Sequence, residues 1–186
     1  MFKYSKKLEY PVNITKKDIE MAKYLITTLG GSAGELAAAT RYFVQSFSMP
    51  DERGKALLVD IATEELAHVE IVSTMFRQLV KDATPEEMKA YNLGDYYTEH
   101  GKGVYPLNAS GVPFDAKYIA STGNPVVDLA EDMAAEEKAR ASYESIIDLT
   151  DNEELLNPLL FLRQREVIHY NRFKELYEEY KEKYNM

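Results

Sequence analysis

At 186 residues and 45% hydrophobic content, the chain has room for one domain with a substantial core and is too short to suggest two. Its net charge of −9 argues against nucleic acid or an anionic membrane surface as the main partner, and no stretch approaches the roughly 18 uninterrupted apolar residues of a membrane span. Cysteine is absent, which excludes disulfides, thiolate metal sites, CxxC redox pairs and cysteine nucleophiles, so any chemistry falls to carboxylates, histidines, tyrosines and hydroxyls.

The opening MFKYSKKLEY has positive charges but no apolar run behind them, so no secretory signal is read and cytoplasmic synthesis is expected. A first helix is predicted over about 15–48, with Thr15 as N-cap and Ile19, Ala22, Leu25 and Leu29 at helical spacing. Gly30, Gly31 and Gly34 interrupt it at about 1 kcal/mol each relative to alanine, a cost that close packing or a kink beside Glu35 would explain. Met49-Pro50-Asp51 turns the chain into a second helix, about 51–81. Residues 82–124 are rich in Gly, Pro, Asn and Tyr and read as a long crossover with a short helix near Pro85–Ala90; connections of this length are often functional. A third helix is predicted over about 125–149 and, after Thr150-Asp151-Asn152, a fourth over about 157–184 with Pro158 in its first turn. The expected fold is all-α, a ferritin-like four-helix bundle of two helical hairpins joined by one long crossover, with residues 1–186 as a single domain.

A shift of 101 residues superimposes the two hairpins without a gap. Glu35 falls on Glu136, Tyr42 on Tyr143, Glu65 on Glu166 and His68 on His169, and the stripe Leu58, Ile61, Val72, Met75 falls on Leu159, Leu162, Phe173, Leu176. Both Glu-x-x-His pairs therefore occupy core-facing positions. Glu35 and Glu65 lie 15 residues either side of Pro50, and Glu136 and Glu166 lie 15 either side of Asp151. Equal runs up one helix and down the next bring each pair to one level, roughly 20 Å from its turn. Buried carboxylates are expensive unless paired or metal-bound. One Glu from each of two helices plus Glu-x-x-His from the other two is the ligand set of ferritin-like dinuclear sites. Glu35, Glu65, His68, Glu136, Glu166 and His169 are thus the candidate metal ligands.

Among the neighbours, Glu64 lies off the apolar stripe and reads as solvated, and the register selects Glu136 over Glu137. Tyr42 and Tyr143, two turns beyond a ligand glutamate on the same face, are candidates for an orienting hydrogen bond to the carboxylate. His100 reads as a loop or interface histidine, Arg140 and Arg163 as surface pairs or charge near the site, and ELYEEYKEKYNM as a solvated helix end or a contact surface.

GGSAGELAAATRY, TEELAHVE, GVPFDAKYIASTGNPVVDLAEDMAAEEKAR and REVIH together resemble the non-haem manganese catalases over nearly the whole chain. KKLEYPV and PDERGKALLVDIATEELAH look most like a spore-coat branch of that family. The resemblance implies two manganese ions per chain, with Glu35 and Glu136 as terminal ligands, Glu65 bridging, and His68 and His169 on one metal each. It implies that Glu166 is an outer-shell catalytic base, whereas the generic di-iron layout makes it a second bridge. The implied reaction is disproportionation of hydrogen peroxide to water and dioxygen. A homo-oligomer, hexameric in the family, and deposition among other spore-coat proteins are implied as well. Longer members carry a C-terminal tail that wraps neighbouring subunits, and some have arginine before the third-helix ligand, where this chain has Ala135.

Two rival readings remain at this level. A di-iron oxidase, peroxidase or ferroxidase uses nearly the same ligands, and imidazole and carboxylate accept iron as well as manganese. The other is a structural coat protein whose metals mainly support the fold. The missing cysteines disfavour a rubrerythrin.

Overall fold

A computed structural model describes residues 7–184. The first six residues, part of the stretch read for a secretory signal, and residues 185–186 lie outside them. The described residues form α1 (Ile19–Gly30), α2 (Glu35–Ser46), α3 (Glu52–Leu79), α4 (Pro85–Ala90), α5 (Gly94–His100), α6 (Pro125–Ile147) and α7 (Glu153–Tyr184), with one short 3-10 turn and no strand. α2 pairs with α3 and α6 with α7, and α1 packs along α3. The crossover between α3 and α6 contains α4, α5 and a single bridge between Leu107 and Pro113. No helix among the described residues is long and apolar enough to cross a membrane.

The helix expected over 15–48 is two helices. Gly31 takes φ −71° and ψ 171°, which ends α1, and Gly34 is the extended N-cap of α2. A side chain at Gly30 would strike the backbone of Pro106 and Leu107, so this glycine admits the crossover against the bundle. Thr15 caps nothing: its N–H and hydroxyl donate to Glu154 on α7, while Asp18 caps α1 by accepting from the Met21 N–H at 3.0 Å.

α7 starts earlier than expected because Asn152 accepts from the Glu154 N–H at 3.0 Å, and its backbone carbonyl takes the N–H groups of Leu155 and Leu156. Pro158 then lies inside the helix near its start, where its missing N–H removes one intrahelical bond. At the other end, Tyr180 is buried rather than solvated. Its hydroxyl donates to Asp51 at 2.7 Å, and a side chain at Gly54 would collide with it.

Two apolar cores fill the bundle. One gathers Leu25, Ile26, Val72, Met75, Phe76, Tyr143, Leu159 and Leu162, and the other Tyr42, Leu58, Ile61, Leu129, Phe173 and Leu176. The 101-residue register exchanges them: Leu58 and Leu159 lie in opposite cores, as do Val72 and Phe173. Along α3, α6 and α7 the chain leaves one core and enters the other, and the polar residues fall in the layer between.

Candidate metal centre

Each long helix brings buried polar side chains to that layer. Glu35 is the first residue of α2, set there by the glycine break; Glu65 and His68 come from α3, Glu136 from α6, and Glu166 and His169 from α7. None of the six exposes more than 2% of its surface. Apolar walls on both sides deprive them of water.

They form two overlapping groups. Glu35, Glu65, His68 and Glu166 each offer one ligand atom within 4.8 Å of the others, and Glu65, Glu136, Glu166 and His169 do the same. Glu65 and Glu166 belong to both. Both imidazoles turn Nδ1 inward. His68 Nδ1 lies 3.0 Å from Glu65 Oε2 and 3.5 Å from Glu35 Oε2; His169 Nδ1 lies 2.7 Å from Glu65 Oε1 and 3.6 Å from Glu136 Oε2. Glu65 thus gives one oxygen to each histidine.

Whether cations fit can be judged from the atoms left over. Glu136 Oε2 and Glu166 Oε1 are buried with no hydrogen-bond partner, and Glu65 Oε1 and His169 Nδ1, though 2.7 Å apart, are not aligned for a hydrogen bond. Buried polar atoms are rarely left so. Carboxylate oxygens with imidazole nitrogens suit divalent first-row cations such as manganese or iron. The residues fit the pair of ions.

Without cations, protons balance the charge. Burial works against a charged His68, but Glu65 and Glu35 raise it to about 10; the same contest at His169, with Glu65, Glu136 and Glu64, ends at about 12. Burial and then Glu65 push Glu35 up to about 8. Burial among Glu35, Glu65 and Glu136 raises Glu166 well above the carboxylate range. Burial opposes ionisation of Glu65 as well, but His68 and His169 together hold it well below that range.

The tyrosines bond crosswise. Tyr42 on α2 donates to Glu136 on α6, and Tyr143 on α6 donates to Glu35 on α2. Each uses only Oε1, and the antiparallel hairpins place each tyrosine over the other hairpin's glutamate. Burial, then the facing glutamate, keeps both phenols well above their usual range, hence protonated as donors.

Glu64 is not the solvated residue that its place off the stripe suggests. Its side chain is 17% exposed, and it lies 3.3 Å from His169 Nε2 and 3.8 Å from His68 Nε2. Arg165 Nε donates to it. Burial opposes its charge, but His169 and Arg165 hold it at about 2. Glu9 approaches His68 Nε2 at 3.6 Å. The spacing of Glu64 four residues before His68 was the available signal; Glu9 gave none.

Sequence reasoning also missed Arg41, Gln45 and Asp132, all buried beside the site. Asp128, Asp132 and Glu136 recur every four residues along α6, a carboxylate stripe readable in the sequence. Asp128 accepts from the Thr122 and Gly123 N–H groups and ties the end of the crossover to α6. Burial raises Asp132 well above the carboxylate range, opposed by Arg41 and Gln45. Other candidates lie elsewhere. His100 ends α5 stacked 3.9 Å over Tyr105, Arg140 and Arg163 both donate to Glu144, and Glu137 pairs with Arg140 on the surface.

Comparison with known proteins gives consistent results. The model of a family described as manganese containing catalase matches residues 1–186. Protein CotJC of Bacillus subtilis (strain 168) is 50% identical over 182 residues, covering 98% of this chain and 96% of that protein. A manganese catalase of Lactiplantibacillus plantarum is 36% identical over 199 residues, covering 100% of this chain and 74% of its own length. Among solved structures, wild-type KatB, a manganese catalase from Anabaena, matches with a TM-score of 0.88 and 33% identity, over 96% of this chain and 80% of that one.

Proposed function

Because this chain belongs to the manganese-containing catalase family, we propose that it disproportionates hydrogen peroxide to water and dioxygen at a dinuclear manganese site. The observation that carries this reading is the pair of buried four-residue groups sharing Glu65 and Glu166.

Glu35 and His68 would hold one manganese, Glu136 and His169 the other, and Glu65 would span both. Two manganese ions so held supply a two-electron change that reduces one peroxide to water and oxidises the next to dioxygen. The chain's own part is positional and protonic. Reducing the first peroxide takes up two protons, and oxidising the second releases two. Glu166, common to both groups, is the residue to hold one between the half-reactions. Tyr42 and Tyr143 fix Glu136 and Glu35 through one oxygen each and leave the other for metal.

Iron would meet the same donors, and the family likeness sets manganese ahead of it. Likeness to CotJC supports the spore coat as the place of action, among other spore-coat proteins. Exposed Phe43 and Val44 on α2, with Phe47 just past its end, offer an apolar face for a homo-oligomer. The ligand assignment is tested by Glu65→Ala and His169→Ala, each expected to lose metal and turnover together; normal metal content in both contradicts it. Glu166→Gln is expected to keep two metals per chain and lose most turnover, whereas loss of metal would make Glu166 a bridging ligand.

A further inference from the structure

Between α2 and α6, beside the metal centre, lies a polar seam that no step above uses. Arg41 and Gln45 are one turn apart on α2, and Asp132 is one turn before Glu136 on α6. Their exposures are 4%, 0% and 0%. The crossover takes part of their capacity: Arg41 Nη2 donates to the Tyr118 carbonyl at 2.9 Å, and Gln45 Nε2 to the Ala120 carbonyl at 2.7 Å. Five buried polar atoms remain without a partner. Arg41 Nε and Nη1 are donors; Gln45 Oε1 and both Asp132 oxygens are acceptors.

Buried polar atoms are rarely left unpaired, so five together call for a guest that both donates and accepts. A way in exists. A surface cavity of about 190 Å³ opens on Arg41, between Tyr118 and Ala120 of the crossover and Ala135 of α6, the residue directly before Glu136. At ~30 Å³ per water this holds several small molecules. The mix of free donors and acceptors suits a guest that both gives and takes hydrogen bonds better than an anion, which only accepts, and the polar lining disfavours an apolar one.

We propose that this seam admits a small neutral hydroxylic molecule, water at rest and hydrogen peroxide in turnover, from the surface to the Glu136 side of the centre. Arg41 is its donor, and Asp132 and Gln45 are its acceptors. The proposal rests on the catalase reading and narrows it to a route. Ala135→Leu narrows the cavity without replacing a ligand or a seam side chain. Manganese-loaded Ala135→Leu is expected to keep its metal content and lose about tenfold in kcat/KM for peroxide.

A second measurement separates passage from structural damage. Crystals of the full chain loaded with redox-inert zinc, soaked in hydrogen peroxide, should show a two-atom guest between Arg41 and Asp132 in the wild type and none in Arg41→Met. Water alone in soaked wild-type crystals, or unchanged kcat/KM in Ala135→Leu, overturns the proposal. If manganese-loaded wild type evolves no oxygen, the catalase reading fails by itself, and the zinc crystals still decide what the seam binds.

Discussion

Glu64 is one carboxylate facing two imidazoles, and its charge is held by Arg165 from the opposite hairpin. Ligating histidines usually donate their outer N–H to such a group, which orients the ring and raises its basicity. Glu64→Gln should weaken metal binding about 10- to 100-fold while leaving helix content intact, as read by competition with a chelator. Equal affinity in the variant would remove Glu64 from the site. Proton balance gives a second test. At pH 7 the metal-free protein keeps both His68 and His169 charged, since they titrate near 10 and 12. Metal uptake should therefore release at least one proton from each, and apparent affinity should fall as pH falls. Calorimetry in buffers of different ionisation enthalpy measures the release; none would contradict the charged pair. These raised values also stabilise the metal-free fold fully below about 6.5, a contribution lost as pH rises through about 10 for His68 and about 12 for His169. The six core-facing residues were legible because periodicity and equal distances from two turns locate them. Glu64 was misread because its histidine on α7 and its arginine come from across the bundle, which spacing along one helix does not show.

Among the elements, the α2–α3 turn joins two ends of the chain. Asp51 caps α3 by accepting from the Gly54 N–H at 3.0 Å, and it also accepts from Tyr180 near the end of α7. The Gly54 N–H, then Tyr180 and Lys183, hold Asp51 at about 2 against its usual 3.8, so its contribution is complete above about 3.8 and lost as pH falls through 2. Asp51→Ala should cost about 1 kcal/mol for the cap, lowering Tm by roughly 2–4 °C at neutral pH. An unchanged Tm would contradict the cap. The short helix Pro85–Ala90 was readable from its Thr-Pro start, which forms a full capping box with Glu87. The break between α1 and α2 was half readable. Three glycines flagged it, but the reason lies in the backbone of Pro106 and Leu107, some 75 residues away in the chain. The start of α7 is hard to read because Pro158 marks a plausible boundary, while Asn152 caps the helix earlier.

Across the molecule, an internal two-fold relation organises both packing and chemistry. It exchanges the two apolar cores, crosses the two tyrosine–glutamate bonds and places the Glu-x-x-His pairs in one layer between them. The shared layer is legible from the 101-residue shift, whereas the exchange of cores and the crossed bonds show only in the folded chain. Where the repeat fails, the sequence does not give the answer: Glu64 falls on Arg165, and that mismatch builds one outer carboxylate serving both histidines. The crossover has no counterpart in the repeat, so its bonds to Arg41 and Gln45 appear only in the folded chain. The central claim is a dinuclear manganese centre that consumes peroxide. Its most direct test is elemental analysis of protein expressed with manganese and iron both available, paired with oxygen evolution from hydrogen peroxide. The expected result is two manganese per chain with rapid oxygen release. Two irons per chain with little oxygen release would contradict it, leaving the ligand cluster in place but serving a different reaction.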